Sequence, residues 1–330
     1  MPVRRKLLVT DLDVKDRFPQ LSRYADVFAT DELDEDSLDS LLPTVDSLLV
    51  TGLWPKSLRS ERMVHMKSLR FVQLQLAGAN HVPFRDISRE VVVCSNAGGY
   101  SLGVAEFAWG LLLAAAKRVV SFDANLRADG FSQEFRWRTA KEVAILKGKT
   151  LAIVGYGGIG RTVASIGRAF GMKVCAFARH PKVDRDTKVY RGKQGLLRLL
   201  RVADVVVVAI PLTNRTKRLI GARELAVMKP NAIMVNVARA EILDENELYR
   251  HLVRNPAFVY ATDVWPMVGG SESYSSSVPF LKLPNFIGTP HVSGPSELST
   301  GEPMRLAVEN LLRHFRGEAP SNVVDRSEYT

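Results

Sequence analysis

Four apolar residues, Leu151-Ala152-Ile153-Val154, run straight into Gly155-Tyr156-Gly157-Gly158-Ile159-Gly160, and a helical pattern begins immediately behind them. Glycines at this spacing between a strand and a helix leave few folds open, because each answers a different steric demand. Gly155 permits the tight turn and Gly157 lets the backbone approach a pyrophosphate. Gly160 lets helix and strand pack closely, while the helix N-terminus offers N–H donors and the positive end of its dipole. A dinucleotide-binding α/β unit is therefore predicted, with Gly155, Gly157, Ile159, Gly160 and Arg161 reaching the cofactor.

The pattern on either side agrees. Short β-type runs at Lys6–Thr10, Val27–Thr30, Ser47–Thr51, Phe71–Leu76 and Val91–Ser95 are separated by amphipathic stretches such as Ser37–Leu42 and Leu58–Met66. A second series follows at Thr150–Val154, Lys173–Ala178, Val205–Ala209, Ile233–Val237, Val259–Val264 and Phe286–Thr289. Runs that are apolar at every position, such as Val205–Val208, belong in parallel sheets covered on both faces. The final helical pattern, Pro303–Arg316, turns Leu306, Val308, Leu311, Leu312 and Phe315 toward one side. With 330 residues, the chain has material for two α/β lobes. Hinge signals at Gly98-Gly99 and Thr289-Pro290 predict a discontinuous division, residues 1–98 with 293–330 in one lobe and 99–292 in the other.

Composition excludes several classes. The two cysteines, Cys94 and Cys175, sit in apolar runs and build neither a disulfide framework nor a zinc site; no metal is expected. Arg4, Arg5 and Lys6 make the N-terminus basic, but the apolar stretch behind them ends at Asp11, too soon for a signal peptide. The longest uncharged apolar run, Phe107 to Ala116, is ten residues and reads as a buried helix, not a membrane span. A cytoplasmic protein is expected. Net charge is +10, yet 45 basic residues are scattered among 35 acidic ones with no one-sided stripe, so no nucleic-acid partner is expected.

The strand after the glycine turn selects the nucleotide. A chain built for NAD places Asp or Glu about 20 residues on to hold the ribose 2′-OH. Here the segment reads Phe177-Ala178-Arg179-His180-Pro181-Lys182, so Ala178 fills the acidic slot and cationic groups follow. A guanidinium grips a 2′-phosphate that a carboxylate would repel. Arg179 and His180 thus point to NADP(H). Stacking of Arg179 on the adenine, with NAD(H) also accepted, is the other reading.

Order and spacing of several motifs together resemble the D-isomer-specific 2-hydroxyacid dehydrogenases, the family of glyoxylate/hydroxypyruvate reductases and phosphoglycerate dehydrogenase. The motifs are Leu76-Ala77-Gly78-Ala79-Asn80, Val104-Ala105-Glu106, the glycine turn, Pro211-Leu212-Thr213 with Thr216, Asn236-Val237-Ala238-Arg239 before Asp244-Glu245, Asp263-Val264-Trp265, and Thr289-Pro290-His291 with Gly294. The resemblance implies a Rossmann-type doubly wound parallel sheet beside a smaller flavodoxin-like α/β substrate lobe. It also implies an NADP(H)-preferring enzyme interconverting small 2-oxo acids and D-2-hydroxy acids by hydride transfer. Arg239, just past a parallel strand, would hold the substrate carboxylate and polarise its carbonyl. His291 would act as acid and base, its ordinary pKa lying near working pH. Backbone N–H groups at Ala77 and Gly78 would hold the carboxylate, and Asp263 and Gly294 would flank the nicotinamide amide. Pro211, Thr216, Val237 and Ala238 would line the cofactor. Trp54 either overhangs the substrate or belongs to the core.

One position departs from the pattern. Five residues after the Asp of its Asp-Val-aromatic motif the family carries a Glu that orients the histidine; from Asp263 that position is Val268. Glu272, in a Ser/Gly-rich stretch, is the nearest substitute. The departure keeps a second function in view, a dinucleotide-sensing interaction protein of the same fold, and a phosphoglycerate dehydrogenase lacking a regulatory domain is a third. The segment Leu102–Val120, with Ala and Leu almost all round, is apolar on more faces than one sheet covers and predicts a homodimer interface.

Overall fold

A computed structural model describes residues 4–130, 143–179, 186–268, 271–272, 276–294 and 301–330. The chain divides into two compact units, Met1–Tyr100 with Glu297–Thr330, and Ser101–Ser296. These breaks fall two and four residues beyond the sequence-based boundaries at 98/99 and 292/293.

The first unit holds five parallel strands, β1 (Arg5–Val9), β2 (Ala25–Ala29), β3 (Ser47–Val50), β4 (Phe71–Leu74) and β5 (Val92–Cys94), in the order β2-β1-β3-β4-β5. That is the flavodoxin-like order. Alternation divides its residues between two cores. Leu8, Leu48, Val50 and Val72 pack on one face, and Leu7, Val9, Leu49 and Phe71 on the other. The second face is covered by the helix Glu302–Phe315 through Ala307, Val308 and Leu311. A buried amide pair, Asn310 Nδ2 donating to Gln73 Oε1 at 2.7 Å, pins that helix to β4.

The second unit holds seven parallel strands: β6 (Thr150–Val154), β7 (Lys173–Phe177), β8 (Lys188–Tyr190), β9 (Val205–Val208), β10 (Ile233–Asn236), β11 (Val259–Thr262) and β14 (Phe286–Gly288). Their order is β14-β11-β10-β9-β6-β7-β8. The chain runs outward through β7 and β8, then returns to the other side of β6 as β9. This reversal at β6 and β9 creates the crevice at the strands' carboxyl ends where open α/β sheets bind ligands. A separate hairpin pairs β12 (Met267–Val268) with β13 (Ser271–Glu272).

Three sequence expectations are corrected. Leu102–Val120 is not one helix: Ser101–Ala116 ends, Arg118 turns to φ +54°, and a new helix runs Val119–Asp129. Much of its apolar surface is covered within the unit, where Val104, Ala108, Trp109, Leu112 and Ala116 are buried, whereas Leu102, Val119, Val120 and Leu126 are exposed. Leu58–Met66 holds only a 3-10 turn and the four-residue helix Ser60–Met63. The strand β8 has no counterpart in the sequence reading, because Lys-Val-Tyr is too short and polar to announce itself. Both cysteines are free and buried, and burial pushes each thiol up to about 11. Among the described residues no helix is long and apolar enough to cross a membrane.

Candidate cofactor and active site

The three glycines answer different steric demands. Gly155 leaves β6 at φ +106° and donates its N–H to the Phe177 carbonyl at 2.9 Å. A Cβ on it would lie 2.4 Å from the Ala209 carbonyl oxygen, just past β9, so both the turn and the neighbouring strand demand glycine. A Cβ on Gly160 would lie 2.1 Å from the Gly155 oxygen. Gly157 differs: it caps the helix Gly158–Ala169 without a side-chain hydrogen bond, and a Cβ there would meet nothing within 4 Å. The result is an uncapped helix N-terminus facing open space at a switch point, which fits the pyrophosphate of a dinucleotide. Ile159 is half-buried in the first turn, and the Arg161 guanidinium lies 5.1 Å over the Tyr156 ring.

At the end of β7, Ala178 donates its N–H to the Tyr190 carbonyl, extending the pairing with β8, and Arg179 follows, exposed. His180 lies outside the described residues. Beyond β9, Pro211 is exposed, but the Thr216 hydroxyl is spent on its own loop, donating to the Pro211 carbonyl at 2.7 Å and accepting from the Thr213 N–H at 2.8 Å. The resemblance has Thr216 line the cofactor; in the structure its hydroxyl builds the loop.

Arg239 stands three residues past β10, half-buried and in extended conformation (φ −150°). A brace the sequence reading missed sets it there. Fully buried Asn236 accepts the Ala238 N–H at Oδ1 (3.0 Å) and donates from Nδ2 to the Arg239 carbonyl (3.0 Å). Its amide closes the turn that carries buried Val237 and Ala238 out of the sheet. One guanidinium nitrogen donates to the Ala238 carbonyl at 2.7 Å.

His291 lies on a loop whose shape is dictated from below. Asp263, wholly buried at the end of β11, accepts three hydrogen bonds from that loop: Thr289 hydroxyl (2.6 Å) and Val292 N–H (3.1 Å) at Oδ1, and Ser293 N–H (2.8 Å) at Oδ2. Trp265 adds a fourth tie, its indole N–H donating to the Thr289 carbonyl at 2.8 Å. Held at 289, 292 and 293, the chain takes His291 through φ +52°, a conformation uncommon outside glycine, and the side chain is half-buried. Gly294 follows, half-buried. The resemblance places Asp263 beside the nicotinamide amide; in the structure both its oxygens serve the histidine loop. The signal for this role in sequence was a lone carboxylate closing an apolar strand.

The two carboxylate questions have backbone answers. Val268 pairs with Ser271, whereas Glu272 stands opposite Met267. The Met267 N–H is taken by Glu241 Oε1 at 3.1 Å, so a carboxylate from the Arg239 segment anchors the hairpin one residue from the family's Glu position.

In the other unit, Ala77 and Gly78 are half-buried in the bend after β4. Trp54 is held within its own segment: its indole N–H donates to the Leu58 carbonyl at 2.7 Å and its ring packs on the first unit's core.

The model of the D-isomer specific 2-hydroxyacid dehydrogenase NAD binding domain matches residues 109–293, more than half the chain. The protein belongs to that family. This dehydrogenase is 30% identical to a glyoxylate reductase of Aeropyrum pernix over 98% of its own length and 96% of that protein's. It is 28% identical to a D-3-phosphoglycerate dehydrogenase of Methanocaldococcus jannaschii over 97% of its length, spanning 59% of that longer chain. Its fold is similar to that of a D-isomer specific 2-hydroxyacid dehydrogenase from Xanthobacter autotrophicus Py2 solved with NADPH and MES (TM-score 0.79, 23% identity, 99% and 100% of the two chains covered). The dehydrogenase is an oxidoreductase using a nicotinamide dinucleotide, and the glycine cradle described above fits that cofactor.

Proposed function

We propose that this dehydrogenase is an NADP(H)-preferring reductase of small 2-oxo acids of the glyoxylate or hydroxypyruvate type. The observation that carries the reading is Arg239, braced by Asn236 where β10 ends, in the same sheet as the glycine cradle. A planar guanidinium there binds the carboxylate of a 2-oxo acid and stabilises charge developing on its carbonyl oxygen. When bound, the reduced nicotinamide supplies the hydride. His291 supplies the proton to the carbonyl oxygen from its imidazole, and Asp263, Thr289 and Trp265 keep its loop in one shape while it does so. Ala178 in the acidic slot and Arg179 beside it support the preference for the 2′-phosphorylated cofactor. Similarity to the Aeropyrum glyoxylate reductase across nearly both chains supports a small substrate.

The test is oxidation of NADPH with glyoxylate, hydroxypyruvate and 3-phosphohydroxypyruvate. Turnover with the first two, a loss of at least a hundredfold in Arg239→Ala, and a shift toward NADH in Arg179→Ala are expected. Faster turnover of the phosphorylated acid would favour a phosphoglycerate dehydrogenase. Val268 in place of the family's Glu favours one rival, a dinucleotide sensor; tight NADPH binding without turnover of any 2-oxo acid would establish it.

A further inference from the structure

The basic run Arg4-Arg5-Lys6 lies outside the residues proposed for the reaction, yet it converges with other cations. Arg5 and Lys6 open β1, Asp46 precedes β3 and Arg70 precedes β4, so the amino ends of three adjacent strands bring them to one rim. There Arg4, Arg5, Lys6, Arg70 and His314, with the Thr44 and Ser68 hydroxyls and Asp46, line a pocket of about 610 Å³.

Its charge is unbalanced. Arg4 is paired with Asp26 at 3.0 Å. Among the described residues, however, Arg5, Lys6 and Arg70 have no carboxylate partner. Arg5 donates to the His314 carbonyl, Lys6 to the Thr44 hydroxyl at 3.0 Å, and Arg70 to the Lys67 and Leu69 carbonyls at 3.1 and 2.8 Å. The one carboxylate in the lining, Asp46, is already engaged, accepting the Lys6 N–H at 2.6 Å and the Ser47 hydroxyl at 2.7 Å. Carbonyl and hydroxyl partners orient these cations without neutralising them, the condition that favours a multivalent oxyanion. The His314 imidazole, stacked on Phe71 at 4.1 Å, sits below its ordinary pKa through burial and then through the charge of Arg5.

We infer that this pocket is a second anion site, separate from the cofactor cradle, that binds a small molecule carrying a di- or triphosphate through Arg5, Lys6 and Arg70. Open α/β sheets bind their substrates at the strands' carboxyl ends; this pocket is at the amino ends of the first unit's strands. Its concavity and its three convergent cations suit a compact phosphorylated ligand better than a nucleic-acid backbone, which needs an extended stripe.

The test is calorimetric titration of the whole protein with inorganic pyrophosphate and tripolyphosphate, with NADPH saturating so that the cradle is closed to them. Binding is expected, stronger for tripolyphosphate. Lys6→Ala/Arg70→Ala should weaken it at least tenfold with an unchanged unfolding temperature, whereas Lys193→Ala, an exposed cation of the other unit, should leave it within twofold. Absence of binding to the unmodified protein, equal affinity in the double variant, or an equal loss in Lys193→Ala would overturn the inference. Tighter binding of a short DNA duplex than of tripolyphosphate would overturn it in favour of nucleic acid.

Discussion

Replacing Asp263 by Asn isolates what the buried carboxylate does for His291. The substitution is almost isosteric, so no cavity forms, but one acceptor oxygen becomes a donor. With the amide oxygen kept toward Thr289 and Val292, the new NH₂ faces the Ser293 N–H, whose partner oxygen stood 2.8 Å away. A hydrogen bond to a charged group is worth about 1.5–3 kcal/mol, and a buried donor left without an acceptor costs about 1–3 kcal/mol. The loss is therefore about 3–5 kcal/mol in a site with no solvent access. A non-glycine residue at positive φ costs on the order of 1–3 kcal/mol and persists only where its surroundings over-determine it. The loop then has more to gain by relaxing His291 from φ +52° than its remaining ties can resist. Unfolding temperature should fall by roughly 10 °C, taking about 2–4 °C per kcal/mol for a unit of this size. The kcat for 2-oxo acid reduction should fall at least a hundredfold, while the dissociation constant for NADPH, measured by fluorescence titration, changes less than fivefold. A variant that melts within 2 °C of the parent and keeps its kcat would refute the reasoning.

Three further outcomes are expected. Gly160→Ala, whose Cβ would lie 2.1 Å from the Gly155 oxygen, should lower the unfolding temperature measurably, whereas Gly157→Ala, whose Cβ meets nothing within 4 Å, should fold normally yet bind NADPH at least tenfold more weakly in the same titration. Burial holds the His251 and His314 imidazoles below their ordinary range, so the unfolded chain takes up protons first as pH falls. Stability should be full above about pH 7 and decline as pH drops through about 6.5, read as urea midpoints, with a shallower decline in His314→Gln. Exposed Leu102, Val119, Val120 and Leu126 predict self-association through the two helices that carry them; light scattering should return twice the chain mass, and Val120→Asp/Leu126→Asp should return the chain mass.

What could be read in advance was whatever short-range sterics decide. The Val/Ile runs became the parallel strands because a segment apolar on both faces has one stable environment, and Gly155 and Gly160 each met the close neighbour their spacing implied. The misses depend on partners that no periodicity records. Arg118 breaks a helix at φ +54° although its own neighbours, Lys117 and Val119, carry no breaker. Asp263 turned to a loop some 30 residues on, a choice that leaves no periodic trace. Asn236 opens the Asn236-Val237-Ala238-Arg239 motif, but an amide bracing its own next turn looks in sequence like any buried Asn.

The first unit is stitched shut by a segment that returns to it 207 residues downstream, counted from Asn96 to Pro303. Its helix Glu302–Phe315 covers one face, the Ser95 N–H reaches the Asn322 carbonyl, the Val324 N–H reaches Val93, and Asn96 reaches Pro303. Until that segment docks, the first unit's sheet shows water an apolar face, including Leu7, Leu49 and Phe71. Such an exposed sheet invites aggregation until the helix covers it. A chain cut after Ser296 should therefore keep a folded dinucleotide unit joined to an unfinished, chaperone-dependent one.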